Sequence, residues 1–552
     1  MSLPDFSTQS FLFSTAALSA SLFPENDRYR LFALRVYPRL VKARAQLAAA
    51  YSAGEGRPAI EPLLLLGVSI LQFLDGEPDR AAVEMLRYHA GWNFALNRQL
   101  GDPTFHSTTL VNFRQRLVDH KLSTVGFEAI LDGLVEAGLV ARQTRQRLDS
   151  TQMFARVSRM SRLECVRETL RLALQELART TAVEPRPIWW AQLWERYVET
   201  KLDYRVEATV LRQKMDAAGA DAAEVLAWIE QLADPSPGEG EQFKLLKRVF
   251  NEHFEWNPQA QAQQRESQPP GAVHNPHDPE AQWAAKGQGK HRKEHVGYKV
   301  QVAETVSPTP VSKGEPTANF ITAVVTQPAI ASDDAGLPLV EAQQAELGME
   351  KPSELYVDGA YVSAELLTQA KAEGREIIGP AQAAPKKDGR FSVEDFAVSV
   401  EERRATCPAG KTSTQCSRLE EKKTGKVSYR FEFGIHCHEC QLRSRCLGKN
   451  QRHRTIQVGQ YHTLLQARRQ EQHTEAFKLK TRRRNAIEGT QSELVRAHGL
   501  RRARYLGLAK ASLQNFMAAT ACNVKRWIRR TAWQLKQAAA EASIQLAATV
   551  TN

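Results

Sequence analysis

After residue 141 the chain follows an order of elements that few folds can accommodate. Leu148-Asp149-Ser150-Thr151 closes a short strand-like run behind a basic turn at 142–147. Strands are expected at 297–305, where Tyr298, Val300 and Val302 alternate, and at 320–327, which is dense in β-branched residues. A helix follows at 333–347, then a strand at 354–358 that closes on Asp358, a helix at 364–373 and a strand at 376–378. A basic helix bearing Glu488 comes late, with Gly499 as its left-handed C-cap.

A strand with an acid, two strands, a helix, a second strand with an acid, a helix, a strand and a late helix with Glu is the order of an RNase H-like fold. The expected class is therefore α/β: an RNase H-like catalytic core with a helical N-terminal domain and insertions. Residues 1–140 make the helical domain, and 141–383 the first part of the core, with a helical insertion at about 156–295. Residues 384–466 make a polar, Cys-bearing insertion, and 467–552 the helical C-terminal part that carries Glu488. Helices are expected within the first insertion at 163–177, 188–204, 221–232 and 241–254, while 258–295, rich in Gln, Pro, Gly and His, reads as linker or exposed loop. In the N-terminal domain 61–73 is a buried-helix pattern. His106-Ser107-Thr108 offers an N-cap to a helix whose polar face carries Arg114 and Arg116, which would suit a helix-turn-helix reader of DNA ends.

At 552 residues and 42% apolar content the chain can bury several cores. Its longest apolar run, 63–71, is too short to span a bilayer, and the start of the chain lacks the basic segment of a secretory signal, so a cytoplasmic location without a membrane partner is expected. Seven cysteines argue against a disulfide framework and leave metal binding or ordinary burial. The formal net charge of +12 is concentrated: residues 468–530 hold sixteen Lys or Arg against four acids. Such a stripe suits double-stranded DNA, whose condensed counterions are released as phosphates are neutralised. The competing reading is a solvated helix face.

Phosphodiester cleavage by water or a 3′-hydroxyl needs both the attacking and the leaving oxygen stabilised, which two Mg²⁺ or Mn²⁺ ions about 4 Å apart can do. Hard cations take oxygen ligands, and Asp149, Asp358 and Glu488 are the candidate set, two from strand ends and one from a helix. Singly each is one of 62 acids; their combination with the strand order singles them out. Arg484 lies four residues before Glu488 and can hold a phosphate. Separately, Cys437-x₂-Cys440-x₅-Cys446, with Cys407 upstream, offers four thiolates for a structural Zn²⁺, although His436, His438 and Cys416 leave the ligand set open. Cys165 and Cys522 lie on helical patterns and read as core. His277-Asp278-Pro279-Glu280 with Lys286, Lys290, His291 and Lys293 reads as a basic loop within reach of a DNA backbone. Trp189, Trp190 and Trp194 read as helix packing or as a platform for an unpaired base.

The stretch from Ile487-Glu488-Gly489-Thr490-Gln491 to Arg501-Arg502-Ala503-Arg504-Tyr505-Leu506-Gly507-Leu508-Ala509-Lys510 resembles the C-terminal signature of DDE transposases from bacterial insertion sequences, in particular the insertion sequence 1182 family. Leu148-Asp149-Ser150-Thr151, Gly297-Tyr298-Lys299-Val300, Tyr356-Val357-Asp358-Gly359-Ala360-Tyr361-Val362 and Leu71-Gln72-Phe73-Leu74-Asp75-Gly76 resemble further blocks of that family. The resemblance implies that Asp149, Asp358 and Glu488 are the catalytic, Mg²⁺-binding triad, and that Arg484 is the helix arginine of a Tyr-Arg-Glu-Lys pattern. That pattern is incomplete, with Thr481 in place of its Tyr and Val495 in place of its Lys. Arg484, Arg496, Arg501, Arg502, Arg504 and Lys510 are the residues expected on DNA. The implied activity is cleavage at terminal inverted repeats and strand transfer to target DNA by a dimer or larger assembly. A nuclease that never joins ends and a DNA-binding regulator without catalysis are the alternatives.

Overall fold

The computed structural model describes the chain apart from residues 4–19, 53–55, 100, 181–185, 202–204, 233, 235, 258, 260, 288, 290–291, 309–311, 385–388, 423–424 and 551–552, and leaves aside the side chains of 546–550. Among the described residues, the elements from Arg28 to Glu136 are all helices. Helix α1 (Pro62–Asp75) is apolar all round, and Leu65, Leu66, Val68, Ile70, Leu71 and Phe73 are all buried. Pro62 sits where a missing N–H is harmless, the Glu61 side chain accepts from Leu63 N, and Gly76 at φ 78° ends the helix. Around α1 pack α2 (Asp79–Tyr88), α3 (Thr108–Asp119) and α4 (Val125–Glu136). These helices share one core with the long C-terminal helix and with Tyr298, Val300 and Val302 of the sheet, so residue 140 marks a change of element type within a continuous core.

The central sheet has six strands. Strand β1 (Gln146–Phe154) is followed by the inserted helices α5 (Arg162–Thr180), α6 (Ala208–Glu230) and α7 (Glu241–His253) before the chain returns as β2 (Gln282–Lys286) and β3 (Lys293–Thr305). Next come β4 (Ile321–Pro328), α8 (Asp333–Glu346), β5 (Glu354–Tyr356), α9 (Ala364–Ala372) and β6 (Glu376–Ile378), each within a few residues of its expected bounds. The order across the sheet is β2–β3–β1–β5–β6, with β4 also on β3. Pairs β1–β3, β3–β4 and β2–β3 are antiparallel, and β1–β5 and β5–β6 parallel.

The inserted helices bury their own cluster, including Leu170, Leu174, Val225, Leu246 and Val249. Trp190 is buried in it, with ring centroids 5.7–6.3 Å from Trp189, Trp194 and Trp228, which is packing. Helix α6 starts at Ala208, well before the expected 221, because its first turns are largely exposed and residues 217–220 are Ala or Gly, which together give little periodic signal. Those small residues admit a neighbour: a Cβ at Gly219 would stand 2.4 Å from the Phe254 ring.

One expectation fails here. Much of 258–295 is built into the fold instead of forming a linker or exposed loop: β2 lies in it, Val273 and Asp278 are buried, and the Tyr298 hydroxyl donates to Asp278 at 2.7 Å. Its polar composition serves internal hydrogen bonds, such as Asn275 Nδ2 to Ser158 O at 3.0 Å, so composition misjudges its exposure. The polar, Cys-bearing segment has a small core of its own and forms a three-stranded antiparallel sheet, β7 (Gln415–Glu420), β8 (Val427–Glu432) and β9 (Thr455–Gly459). Phe396, Phe431, Phe433, Ile456 and Val458 fill its interior. The chain closes with α10 (Ile487–Ala497) and α11 (Leu508–Val550), and Gly499 at φ 71° breaks the path between them, as the sequence suggests.

Candidate active site

Alternation along β1 puts Leu148 on one face, fully buried, and Arg147, Asp149 and Met153 on the other, toward the C-terminal helices. Asp149 is the fourth of nine strand residues and does not close its strand; what ends nearby is the parallel pairing with β5, whose last pair is Arg147 with Tyr356. Two residues further along each chain stand Asp149 and Asp358. Burial raises the pKa of Asp149, the Ser150 N–H at 2.8 Å and the Arg484 charge oppose that, and Asp358 adds to it. Asp358 lies in a turn, its Oδ1 accepting from Ala360 N at 2.8 Å. A Cβ at Gly359 would stand 2.9 Å from Pro380 O, so this close approach needs a glycine.

Helix α10 is docked against this face. Ile487, Thr490 and Leu494 form its buried stripe. Beneath it lies an ion network: Glu304, fully buried and opposite Arg147 in the β1–β3 register, accepts from Arg147 Nε at 2.6 Å, Thr490 Oγ1 at 2.7 Å and Arg526 Nη1 at 2.9 Å. Arg147 also donates to Arg483 O at 3.0 Å. Arg484 Nη1 reaches Asp149 Oδ2 at 3.3 Å, and Gln491 Nε2 reaches Ser150 O at 3.3 Å. Glu488, four residues from Arg484 and three from Gln491, is exposed between the two side chains that touch β1.

The three acids are not contracted into a finished ligand set. Among the described residues, the trio of candidate ligand atoms within 4.8 Å of one another is Glu493, His498 and Cys522. In that trio Glu493 is already neutralised by Lys525 at 2.9 Å and Arg526 at 3.0 Å, which suits a packed polar cluster.

Several neighbours of the aspartates were not anticipated. Tyr361 is buried, its hydroxyl donates to Gln301, and burial followed by the charges of Asp333, Asp149 and Asp358 pushes its pKa up. Lys286 lies near enough to lower Asp149. An acid at 304 inside a β pattern, opposite an arginine two residues before Asp149, was the signal available for the network. An open cleft of about 1150 Å³ begins at Gly359 and Ala360 and is lined by Arg159, Arg292, Lys299 and Arg469 among others.

Many of the cations expected on DNA are engaged in the fold. Besides Arg484, Arg501 donates to Gln152 O at 3.0 Å and lies over Phe154, and Arg504 lies over Phe73. Arg496 and Arg502 are exposed and Lys510 half-buried, without an ion pair among the described residues. In the N-terminal helices Arg114 is buried against Asp79 and Tyr505, and Arg116 donates to Ala50 O at 2.7 Å, so neither belongs to a free DNA-reading face. Ser107 precedes α3 without a side-chain cap, and His106 Nδ1 accepts from Thr108 N instead. His277 pairs with Glu168 at 2.7 Å, while Lys290 and His291 lie outside the described residues. Cys407, Cys437, Cys440 and Cys446 line one small cavity, and Cys165 and Cys522 are buried in core, as expected.

Residues 406–528 match the family model described as Transposase DDE domain, and residues 19–116 the one described as Transposase domain (DUF772). The two matches support a transposase. The DDE match spans Glu488 and the four cavity cysteines, while Asp149 and Asp358 precede it. No curated protein matches the chain. Among the described residues, no helix of the chain is long and apolar enough to cross a membrane.

Proposed function

We propose that this transposase is an insertion-element enzyme of the insertion sequence 1182 type with an RNase H-like core, which cuts DNA at terminal inverted repeats and joins the freed 3′-hydroxyl ends to target DNA. The observation that carries the reading is the placement of Asp149 and Asp358 just past the last parallel pair of β1 and β5, with the Glu488 helix fastened against the same face. The sheet order, an antiparallel β4–β3–β1 half and a parallel β1–β5–β6 half, supports the RNase H-like assignment.

The donor set fits hard divalent cations. It is all oxygen, Asp358 and Asp149 repel each other, and Arg484 at 3.3 Å and the Lys286 charge offset this only in part. Asp149, Asp358 and Glu488 would hold two Mg²⁺ or Mn²⁺ ions, which when bound stabilise charge on the attacking and leaving oxygens. Arg484, placed between strand and solvent, restrains Asp149 in the free protein and can turn to a phosphate oxygen as DNA enters. Tyr361 and Gln301 pack beside the aspartates and fix the turn that presents Asp358. Arg159 and Arg292, which share Glu294, and Lys299, paired with Asp333, line the adjoining cleft, so a DNA backbone there would have to compete with these acids, and synapsis of two element ends calls for at least two copies of the chain.

The test uses the full chain with labelled element ends, Mg²⁺ and a target plasmid. Asp149→Asn, Asp358→Asn and Glu488→Gln should abolish cleavage while gel-shift binding of the ends persists. A Glu488→Gln protein that cuts like the parent removes Glu488 from the site. Cleavage without any joined product turns the reading into a nuclease.

A further inference from the structure

We propose that Cys407, Cys437, Cys440 and Cys446 form a tetrathiolate site for one structural Zn²⁺ that fastens the Cys-bearing lobe. The four side chains come from separate turns and line one cavity of about 20 Å³, walled by Phe391, Phe433 and Leu447, with room for about one water-sized occupant. Cys407 leads into a tight knuckle: its N–H donates to Lys411 O at 2.9 Å, and Gly410, at φ 72°, donates to Cys407 O at 2.8 Å. Cys437 ends a 3₁₀ turn, Cys440 follows in the next turn, and Cys446 ends the short helix Arg443–Cys446.

The surroundings suit thiolates. The Arg454 N–H points at Cys437 Sγ at 3.4 Å. The Arg443 guanidinium holds Cys437 O at 2.7 Å, and that of Arg454 holds Cys446 O at 3.2 Å, so two cations border the cavity. Four thiolates around a dication leave two negative charges, and these two arginines offset them. Cys416, which the sequence left as a candidate, stands opposite Phe431 in the β7–β8 ladder and does not line the cavity. His438 is exposed and outside it; His436 lines it but is exposed.

The sulfurs are more open than a closed site. Zn–S bonds of about 2.3 Å in a tetrahedron put sulfurs about 3.8 Å apart, whereas the trio of ligand atoms found within 4.8 Å among the described residues lies elsewhere. Binding would draw the turns inward. The lobe gains from that, because its own core is small and a metal held only by the folded state adds its binding energy to folding. This inference does not rest on the catalytic reading.

The experiment is metal analysis of the full chain purified under reducing conditions without added chelator, then of Cys416→Ser and the double variant Cys437→Ser/Cys440→Ser. One equivalent of zinc per chain is expected in the parent and in Cys416→Ser, and none in the double variant. Because the double variant could misfold, the parent is also loaded with Co²⁺, where thiolate-to-cobalt charge-transfer absorption should appear. A parent that neither carries zinc nor takes up Zn²⁺ or Co²⁺ with that absorption overturns the proposal. So does a double variant that keeps its zinc, which would place the ion elsewhere, for instance at Glu493, His498 and Cys522.

Discussion

Replacing Glu304 by Gln tests whether the buried ion network holds helix α10 to the sheet. Glu304 is fully buried and neutralises Arg147 and Arg526, each 5% exposed at the side chain, while also accepting from Thr490. The substitution keeps the shape and one acceptor but removes the charge. Arg526 retains Glu493 at 3.0 Å; Arg147 is left with only the Arg483 carbonyl, a dipole in place of an ion. Breaking a buried pair costs about 3–5 kcal/mol because the surviving charge is uncompensated. With one of two arginines still paired, the lower end, about 3 kcal/mol, is expected. Thr490→Val removes a hydroxyl that donates to Glu304 and accepts from Arg526, and should cost about 1.5–3 kcal/mol. Urea unfolding followed by tryptophan fluorescence and by circular dichroism would measure both, with the slope compared to the parent so that a change in cooperativity is not read as stability. A Glu304→Gln protein within about 0.5 kcal/mol of the parent would refute the claim that this network fastens the helix.

Three further outcomes follow from single contacts. Burial would raise Glu493, but Arg526 and Lys525 prevail and hold it down to about 2. Its stabilisation is then complete above its unfolded value, about 4.3, and is lost as pH falls from there toward 2; solvent screening leaves about 1–2 kcal/mol, so the gap in melting temperature between parent and Glu493→Gln should close in acid, and a constant gap contradicts the pairing. A Cβ at Gly297 would stand 2.0 Å from Met153 O, backbone against backbone between β1 and β3, so Gly297→Ala should lose about 3 kcal/mol or more, whereas Gly489→Ala, with nothing within 4 Å, should gain up to about 1 kcal/mol; equal effects on thermal unfolding would argue against this strand geometry. Arg484→Met removes a charge that lowers Asp149, so the acid limb of the cleavage profile should move to higher pH, and an unmoved limb would show that the contact does not matter to the site.

The strand order was legible because β1, β3, β4 and β5 carry buried apolar residues in regular patterns, and the aspartates are tied to their strands by a residue or two. Arg147, Glu304, Thr490 and Arg526 were not, since the network joins positions 157 and 222 apart for its two salt bridges, a spacing with no periodic trace. The same cause explains Arg114: its helical position suggests a polar face, but Asp79 and Tyr505 meet it there. Composition failed at 258–295 because it counts polar groups without saying whether their partners are water or protein.

That distinction bears on how the chain would grip DNA in the proposed function. Of the sixteen cations in 468–530, eight pair with acids: Arg468, Arg469, Lys478, Lys480, Arg484, Lys525, Arg526 and Arg530. Arg483, Arg501 and Arg504 are engaged with Tyr356, Gln152 and Phe73. Arg482, Arg496, Arg502, Lys510 and Arg529 remain without an ion pair among the described residues. Each phosphate contact contributes about 0.9 to the slope of log affinity against log salt on duplex DNA. Changing these five to Gln should therefore flatten the slope by at most about 4–5, and by less if some face away from the duplex. Lys478→Gln, which breaks a pair with Glu475, should leave the slope nearly unchanged. If instead the five-residue variant keeps the parent's salt dependence, the stripe serves the fold alone, and the cleft beside Asp358 becomes the place to look for the DNA backbone.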